Sequence, residues 1–117
     1  MQINEIEMGG VKPIEGYGPG FFRVGGEVLH GPVLVTPDGP AGWGGLDDRE
    51  AIMGLAGDID VILFGMGMDI ALLPADFRAD IEDSGMGAEV MNTASACRTW
   101  NILAAEGRRV ALAAVPI

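Results

Sequence analysis

The chain has 117 residues, of which 49% are hydrophobic, and it carries 17 acidic side chains against seven basic ones, for a formal net charge of −10. This length suits one domain with a modest core, and the acidic balance disfavours nucleic acids and anionic membranes, which are bound by neutralising phosphate charge. The single cysteine excludes an internal disulfide and fits a reducing, cytoplasmic compartment. We expect neither a membrane span nor a secretory signal, because the apolar runs are short and the first ten residues lack a basic and an apolar region.

The first half of the chain is predicted to form β-strands. Apolar runs at Phe22–Val24 and Val28–Leu29 flank a Gly-Gly pair, which favours an antiparallel hairpin because its tight turn requires positive φ angles. A third strand is predicted near Val33–Val35. The segment PDGPAGWGG that follows is rich in turn-forming residues and is predicted to be a loop, with Trp43 packing it down.

Helices and strands are predicted to alternate from Asp47 onward. Asp47, followed three residues later by Glu50, resembles a capping box at the start of a short helix, with Ile52 and Leu55 facing inward. The apolar run DVILF, ended by Gly65, is typical of a strand that is covered on both faces.

Two more helices and two more strands follow. Pro74 suits the first turn of a helix with Phe77 and Ile81 on its inner face, and Gly85 suits a left-handed cap at its end. AEVM is predicted to be a strand, and a helix is predicted over Thr93–Glu106. The final strand, VALAAV, is apolar or small at every position and is therefore predicted to be central. This alternation predicts an α/β fold that carries an antiparallel β addition at its front end.

Two loops at the carboxyl ends of predicted strands are candidates for a crevice that binds a ligand or a partner. They are GMGMD at 65–69 and MNTAS at 91–95, and they would flank one crevice if the strands before them are parallel neighbours. Glycines and free N–H groups at a helix start would suit an anion, and methionines adapt to varied partners. The alternative is a pair of tight turns with both methionines filling the core. The candidate residues are Gly65, Met66, Gly67, Met68, Asn92 and Thr93.

Cys97 has two interpretations. Near the start of a helix its sulfur would lie where the helix dipole favours a thiolate, which makes it a candidate catalytic nucleophile. Activation also requires a neighbouring base or cation, and the one histidine, His30, falls at a predicted break between strands. Alternatively, Cys97 lies on an apolar arc with Trp100 as a small buried residue, and Asn101 on that arc must satisfy nearby backbone groups. No histidine and cysteine cluster has metal-binding spacing, so neither a metal nor a cofactor is predicted.

The segment MNTASACRTWNILAAEGRRVALAAVPI, together with IEGYGPGFFRVGGEVLHGPVLVTP and VILFGMG, resembles a small family. That family contains mitochondrial respiratory complex I assembly factor three and the adipogenesis-associated protein, along with bacterial and archaeal relatives. The likeness covers nearly the whole chain, although the position of Trp100 more often holds tyrosine in the family. The residues of the last helix and its end that carry the likeness as a structural motif are Cys97, Trp100, Asn101, Glu106, Arg108 and Arg109.

The resemblance implies a fold and a class of function. The fold is a three-layer β+α/β arrangement with a mixed central sheet of about five strands, whose last strand is antiparallel to its neighbours. No established enzymatic activity is implied, and the mitochondrial members act through protein partners as assembly factors for the membrane-bound NADH dehydrogenase. We therefore expect a non-catalytic, cytoplasmic protein-interaction module of a bacterial relative, linked to the assembly of respiratory complex I or of membrane proteins, whereas the eukaryotic relatives are mitochondrial. The alternative is a small-molecule-binding protein or small enzyme that uses Cys97 and the two loops.

Overall fold

The computed structural model describes residues 10–117, and within that range the chain forms eight β-strands and three α-helices. The strands, in chain order, are β1 (Ile14–Gly18), β2 (Phe21–Val24), β3 (Glu27–His30), β4 (Val33–Thr36), β5 (Gly39–Gly42), β6 (Val61–Met66), β7 (Gly87–Met91) and β8 (Val110–Val115). The helices are α1 (Arg49–Met53), α2 (Ala75–Asp83) and α3 (Thr93–Ala105). They build a mixed α/β fold with two separate sheets.

The main sheet has five strands in the order β5-β4-β8-β6-β7. The last strand, β8, is central as predicted, and its residues from Val110 to Ala114 are all buried. β8 is antiparallel to β4 but parallel to β6, so the expectation that it is antiparallel to both neighbours is wrong for β6. The reason is the connection: β6, β7 and β8 are joined through helices that cross the sheet, and such crossovers return the chain in the same direction.

The second sheet is small and antiparallel, with the order β1-β2-β3. Gly25 and Gly26 form the loop between β2 and β3, with φ angles of 57° and 85°. Two successive positive φ angles are those of a type I′ turn, so the predicted hairpin is confirmed. The sequence did not predict β1, which pairs with β2 through a local irregularity between Ile14 and Gly16.

The segment PDGPAGWGG, predicted to be a loop, contains the edge strand β5. β5 pairs antiparallel with β4, and Pro40 lies opposite Val35. A proline is tolerated there because β5 has a neighbour on one side only. Trp43 packs as predicted: it is buried, and its Nε1 donates a hydrogen bond to the carbonyl oxygen of Asp48 at 3.1 Å.

The start of α1 differs by one residue from the prediction. Asp48, and not Asp47, is the N-cap, and its carboxylate accepts hydrogen bonds from the N–H groups of Ala51 at 3.4 Å and of Gly44 at 3.1 Å. The second of these bonds closes the preceding loop onto the helix start, which favours Asp48 over its neighbour.

The ends of α2 follow the prediction closely. Pro74 is the residue immediately before the helix, and Phe77 and Ile81 are fully buried on its inner face. At the other end Gly85 has a φ angle of 94°, and the N–H of Met86 donates to the carbonyl oxygen of Ile81 at 3.3 Å. This is the Schellman arrangement, which satisfies the last carbonyl groups of the helix.

Each face of the main sheet is covered by its own apolar cluster. On one face, α3 and the small sheet pack against β4, β6 and β8; on the other, α1 and α2 pack against the same sheet. The largest fully buried side chains of the first cluster are Trp100, Phe22, Leu63, Leu112, Val24, Val33 and Val35. Those of the second are Phe64, Phe77, Ile52, Ile62 and Ile81. The three-layer β+α/β fold implied by the resemblance is confirmed.

Candidate functional site

The loops after β6 and β7 lie side by side, as predicted, because these strands are parallel neighbours with Gly65 opposite Met91. Gly65 lets the start of α3 approach β6 closely. A Cβ atom added at Gly65 would lie 3.1 Å from the Cα of Thr93 and 3.2 Å from the Cβ of Ala96. The absence of a side chain at this position therefore serves the packing of the helix on the sheet.

Thr93 joins the two loops to each other and to β8. Its backbone N–H donates to the carbonyl oxygen of Gly67 at 2.8 Å, and its Oγ1 accepts from the Gly67 N–H at 2.8 Å. The Thr93 hydroxyl donates in turn to the carbonyl oxygen of Val115 at 2.7 Å. Thr93 is fully buried, so water does not compete for these bonds. The N–H groups of Gly67 and Thr93 therefore already have acceptors within the protein and are not free to hold an anion.

Asn92 is committed to the start of α3. It is the N-cap residue, and its Oδ1 accepts from the N–H of Ser95 at 2.8 Å. Within residues 10–117, no buried side-chain nitrogen or oxygen atom lacks a hydrogen-bond partner. These residues serve the junction of α3 with the sheet: Gly65 allows the close packing, and Gly67, Asn92 and Thr93 supply hydrogen bonds.

The two methionines of the first loop differ in how far they are buried. Met66 is half-buried and packs against the second apolar cluster, in line with the alternative that it fills the core. Met68 is 76% exposed, so the alternative is wrong for this residue. Of the predicted crevice residues, only Met68 extends fully into solvent.

Met68 begins a stretch of exposed apolar side chains that the sequence analysis did not single out. Ile70 is 65% exposed and Leu72 is 88% exposed, while Leu73 turns inward and is buried. We call residues 68–72, which have no regular secondary structure, the apolar loop. Large apolar residues that lie together on a surface mark interaction sites more often than scattered ones do.

Cys97 lies in the first apolar cluster between α3 and the main sheet. It is buried, and this burial raises the pKa of the Cys97 thiol to about 12, against an opposing effect from the charge of Arg98. Desolvation of the thiolate therefore outweighs the charge of Arg98. The geometry favours the interpretation of Cys97 as a small core residue and does not favour a nucleophile.

Trp100 and Asn101 hold the small sheet against α3. The Trp100 Nε1 donates to the carbonyl oxygen of Lys12 at 3.1 Å. Asn101 accepts from the N–H of Ile14 at 2.8 Å and donates to the carbonyl oxygen of the same residue at 3.0 Å. The amide of Asn101 is therefore paired with backbone groups, as predicted. Trp100 and Asn101 both attach α3 to the chain at or just before β1.

The charged end of the structural motif lies at the opposite end of the main sheet. Arg109 donates two hydrogen bonds to Asp60, at 2.6 and 3.2 Å, and these lower the pKa of the Asp60 carboxyl. Arg108 and Glu106 are exposed and lie 3.9 Å apart. Arg109 also lines an open cleft of about 400 Å³ with Asp38, Asp58 and other residues. In the part of the chain that the structure describes, no three histidine, cysteine or acidic side chains are placed to hold a metal ion.

Residues 14–115 match the family model described as a protein of unknown function, DUF498/DUF598. The chain belongs to the DUF498/DUF598 family. Asn101, which bonds to Ile14 of β1, and Gly65, where β6 contacts α3, therefore both lie inside the part of the chain that matches this family.

Two curated relatives differ in how similar their sequences are to this chain. The chain is 46% identical over 117 residues to an uncharacterized protein of Rhodobacter capsulatus, covering 100% of this chain and 94% of that one. It is 28% identical over 110 residues to NADH dehydrogenase [ubiquinone] 1 alpha subcomplex assembly factor 3 of Danio rerio, covering 88% of this chain. The chain spans 63% of the length of that assembly factor.

A solved structure has a similar fold over most of the chain. The crystal structure of a protein of Bartonella henselae, described as an outer membrane protein, matches with a TM-score of 0.83 and 29% sequence identity. The match covers 91% of this chain and 95% of that one. For this chain, none of the helices within residues 10–117 is long and apolar enough to cross a bilayer.

Proposed function

We propose that this member of the DUF498/DUF598 family is a non-catalytic protein-interaction module that takes part in the assembly of respiratory complex I. The observation that carries the proposal is the apolar loop. Its three large side chains, Met68, Ile70 and Leu72, are each more than half exposed although the same chain buries two apolar clusters around its main sheet. A second protein is the usual cover for such a surface.

The chemistry of the predicted crevice supports a binding role over a catalytic one. A small enzyme at this site would use the Cys97 thiol and the polar groups of the two loops. The thiol is buried with a raised pKa, and the hydroxyl of Thr93 is held between two backbone groups. These groups stabilise the junction of α3 with the sheet, which leaves them poorly placed to meet a substrate.

The names of relatives supply the link to complex I. The curated relatives from Danio rerio and Drosophila melanogaster are both named as assembly factors of NADH dehydrogenase, and each aligns with 88% of this chain. An assembly factor must bind folding or unassembled subunits, and an exposed apolar surface suits that task because such subunits expose apolar surfaces of their own.

Deletion of the gene in the source organism tests the proposal. We expect the amount of intact complex I on native gels and the NADH:ubiquinone reductase activity of membranes to fall together. Succinate dehydrogenase activity is the matched control and should not change. The proposal fails if complex I is made in normal amount and with normal activity.

Complementation separates the proposal from the alternative of a small enzyme. The wild-type gene and a Cys97→Ala gene should both restore complex I, because the thiol takes no part in chemistry. Failure of Cys97→Ala alone, with the variant protein folded and present in normal amount, would favour the enzyme.

A further inference from the structure

We infer that the apolar loop inserts Met68, Ile70 and Leu72 into an apolar groove on a partner protein, and that the rim of this groove carries lysines and arginines. The inference rests on the proposed function and adds to it the surface used and the chemistry of the partner. The loop is fixed in place, its surroundings are acidic, and that charge selects among the surfaces that would cover it.

The apolar loop is anchored at both ends. Before it, Gly67 is held by two hydrogen bonds of 2.8 Å to Thr93. After it, Leu73 is buried in the second apolar cluster, and Pro74 leads directly into α2. The side chains between these anchors are therefore displayed on a short, tethered segment. A tethered segment loses less conformational entropy on binding than a free tail, which favours use of the loop as a docking element.

The surroundings of the apolar loop are strongly acidic. Residues 47–53 and 68–83, which contain the loop and the two helices on its face of the sheet, carry eight acidic side chains and two arginines. Both arginines already have acidic partners: Arg49 contacts Asp76 at 2.9 Å, and Arg78 lies 3.7 Å from Glu82. Asp69 lies within the loop itself.

The ion pair of Arg49 shows that these acids lie close together. The hydrogen bond that Arg49 donates to Asp76, followed by the charges of Asp76, Asp80 and Asp47, raises the pKa of the Arg49 guanidinium. Several carboxylates therefore share a single cation at the start of α2, directly after the apolar loop. The two arginines of these segments do not neutralise the excess of negative charge next to the loop.

This charge selects the partner. A second copy of the chain docked through the same loop would bring two acidic rims together, and an anionic lipid surface would meet the same repulsion. A protein groove with a basic rim instead gains favourable long-range attraction while its apolar floor takes up the three side chains. An apolar floor with a basic rim is therefore the surface that matches both the apolar and the charged character of this region.

A photo-cross-linking amino acid placed at position 70 tests the inference in intact cells. Position 102 is the matched control, because Ile102 is also a large apolar residue, 59% exposed, but lies on α3. We expect position 70 to give a protein adduct at a yield at least about tenfold above that of position 102, as for a residue at the centre of an interface. The cross-linked peptide of the partner should contain apolar residues flanked by lysine or arginine.

Two variants and a salt titration test the roles of the apolar side chains and of charge. Met68→Asp combined with Leu72→Asp should abolish the adduct while leaving the thermal unfolding midpoint unchanged, since both side chains are exposed. Asp69→Lys should lower the adduct yield. In extracts, the adduct yield from position 70 in the otherwise unchanged sequence should fall as salt rises from roughly 0.05 to 0.5 M, over which screening shortens the reach of charges several-fold.

The inference is overturned if the adduct is a dimer of this chain, a lipid conjugate or an acidic peptide, or if positions 70 and 102 cross-link equally. It is also overturned if the Met68→Asp, Leu72→Asp variant restores complex I in deleted cells as fully as the wild type does. That last result would leave the proposed function standing, whereas normal complex I in the deleted cells would remove the proposed function itself.

Discussion

The side-chain amide of Asn101 pairs with both backbone groups of Ile14, 87 residues earlier in the chain. The pair of bonds resembles one rung of an antiparallel ladder, with a side chain in place of a strand. In this way α3 supplies hydrogen bonds to β1 of the small sheet.

Replacing Asn101 by alanine should destabilise the protein. The change leaves the N–H and the carbonyl group of Ile14 unpaired in a half-buried position, at a cost of roughly 1–3 kcal/mol in the free energy of unfolding. Urea unfolding of Asn101→Ala measures this cost. Ile102→Ala is the control, because it truncates the exposed neighbour and should change the free energy by no more than about 0.5 kcal/mol. Equal effects of the two substitutions would contradict the role of the amide.

Thr93→Val should be among the more damaging single changes in the chain. Valine matches the shape of threonine but leaves the N–H of Gly67 and the carbonyl of Val115 unpaired in the interior, at a total cost of roughly 2–5 kcal/mol. Thr93→Ser keeps the hydroxyl and loses one methyl group, for which about 1 kcal/mol is expected. Thermal and urea unfolding should therefore rank serine well above valine, and the reverse order would show that shape matters more at this junction than hydrogen bonding.

The stability contributed by Cys97 should depend on pH in the alkaline range. In the unfolded chain the thiol has a pKa of about 8.5, whereas burial raises its pKa in the folded protein to about 12. The contribution is therefore fully present below the unfolded value, decreases as pH rises above it, and is lost as pH passes through the folded value. Compared with Cys97→Ala, the wild type should lose stability by up to about 1.4 kcal/mol per pH unit in that window.

Unfolding free energies of the two proteins between about pH 8 and pH 10.5 test this dependence, and the titration of other groups cancels in their difference. A difference that stays constant across this range would mean that the folded and unfolded thiols titrate alike. Reaction of the native thiol with iodoacetamide should likewise remain slow until urea unfolds the chain.

Gly65→Ala should separate α3 from the sheet. The new methyl group would lie 3.1 Å from the backbone of Thr93 and from the side chain of Ala114, so the helix must shift, at a cost of roughly 1–3 kcal/mol. Gly42→Ala is the control, because a Cβ atom at Gly42 meets nothing within 4 Å. A Gly65 variant as stable as the Gly42 variant would show that the close approach is not needed.

Features that are set by local backbone chemistry could be predicted from the sequence, and features that are set by distant pairing could not. The Gly25-Gly26 turn and the Gly85 cap follow from the positive φ angles that glycine readily adopts. The strand β5 was not predicted because glycine and proline disfavour strands. Pro40 becomes part of a sheet only through the pairing of β5 with β4. Asp48 was not predicted as the N-cap, because the bond that it accepts from the N–H of Gly44 depends on how the preceding loop folds.

The candidate site shows the same division. The neighbouring positions of the two loops followed from the strand pattern, and the burial of Cys97 followed from helical spacing. The bonds between Thr93 and Gly67 join residues 26 positions apart, and no local pattern indicates them. Ile70 and Leu72 were missed for a different reason: apolar residues are expected inside by default, and an exposed one is recognised only when its neighbours in space are known.

The position of β8 in the main sheet has a consequence for biosynthesis. β8 follows all the other strands in the chain, and yet β4 and β6 both pair with it and not with each other. Until β8 has been synthesised, β4 can pair with β5 and β6 with β7, but these two halves lack their common neighbour. The sheet is completed only when residues 110–115 insert between these halves. Closing contacts of such long sequence separation slows folding, so we expect completion of the sheet to be a late event that follows the synthesis of β8.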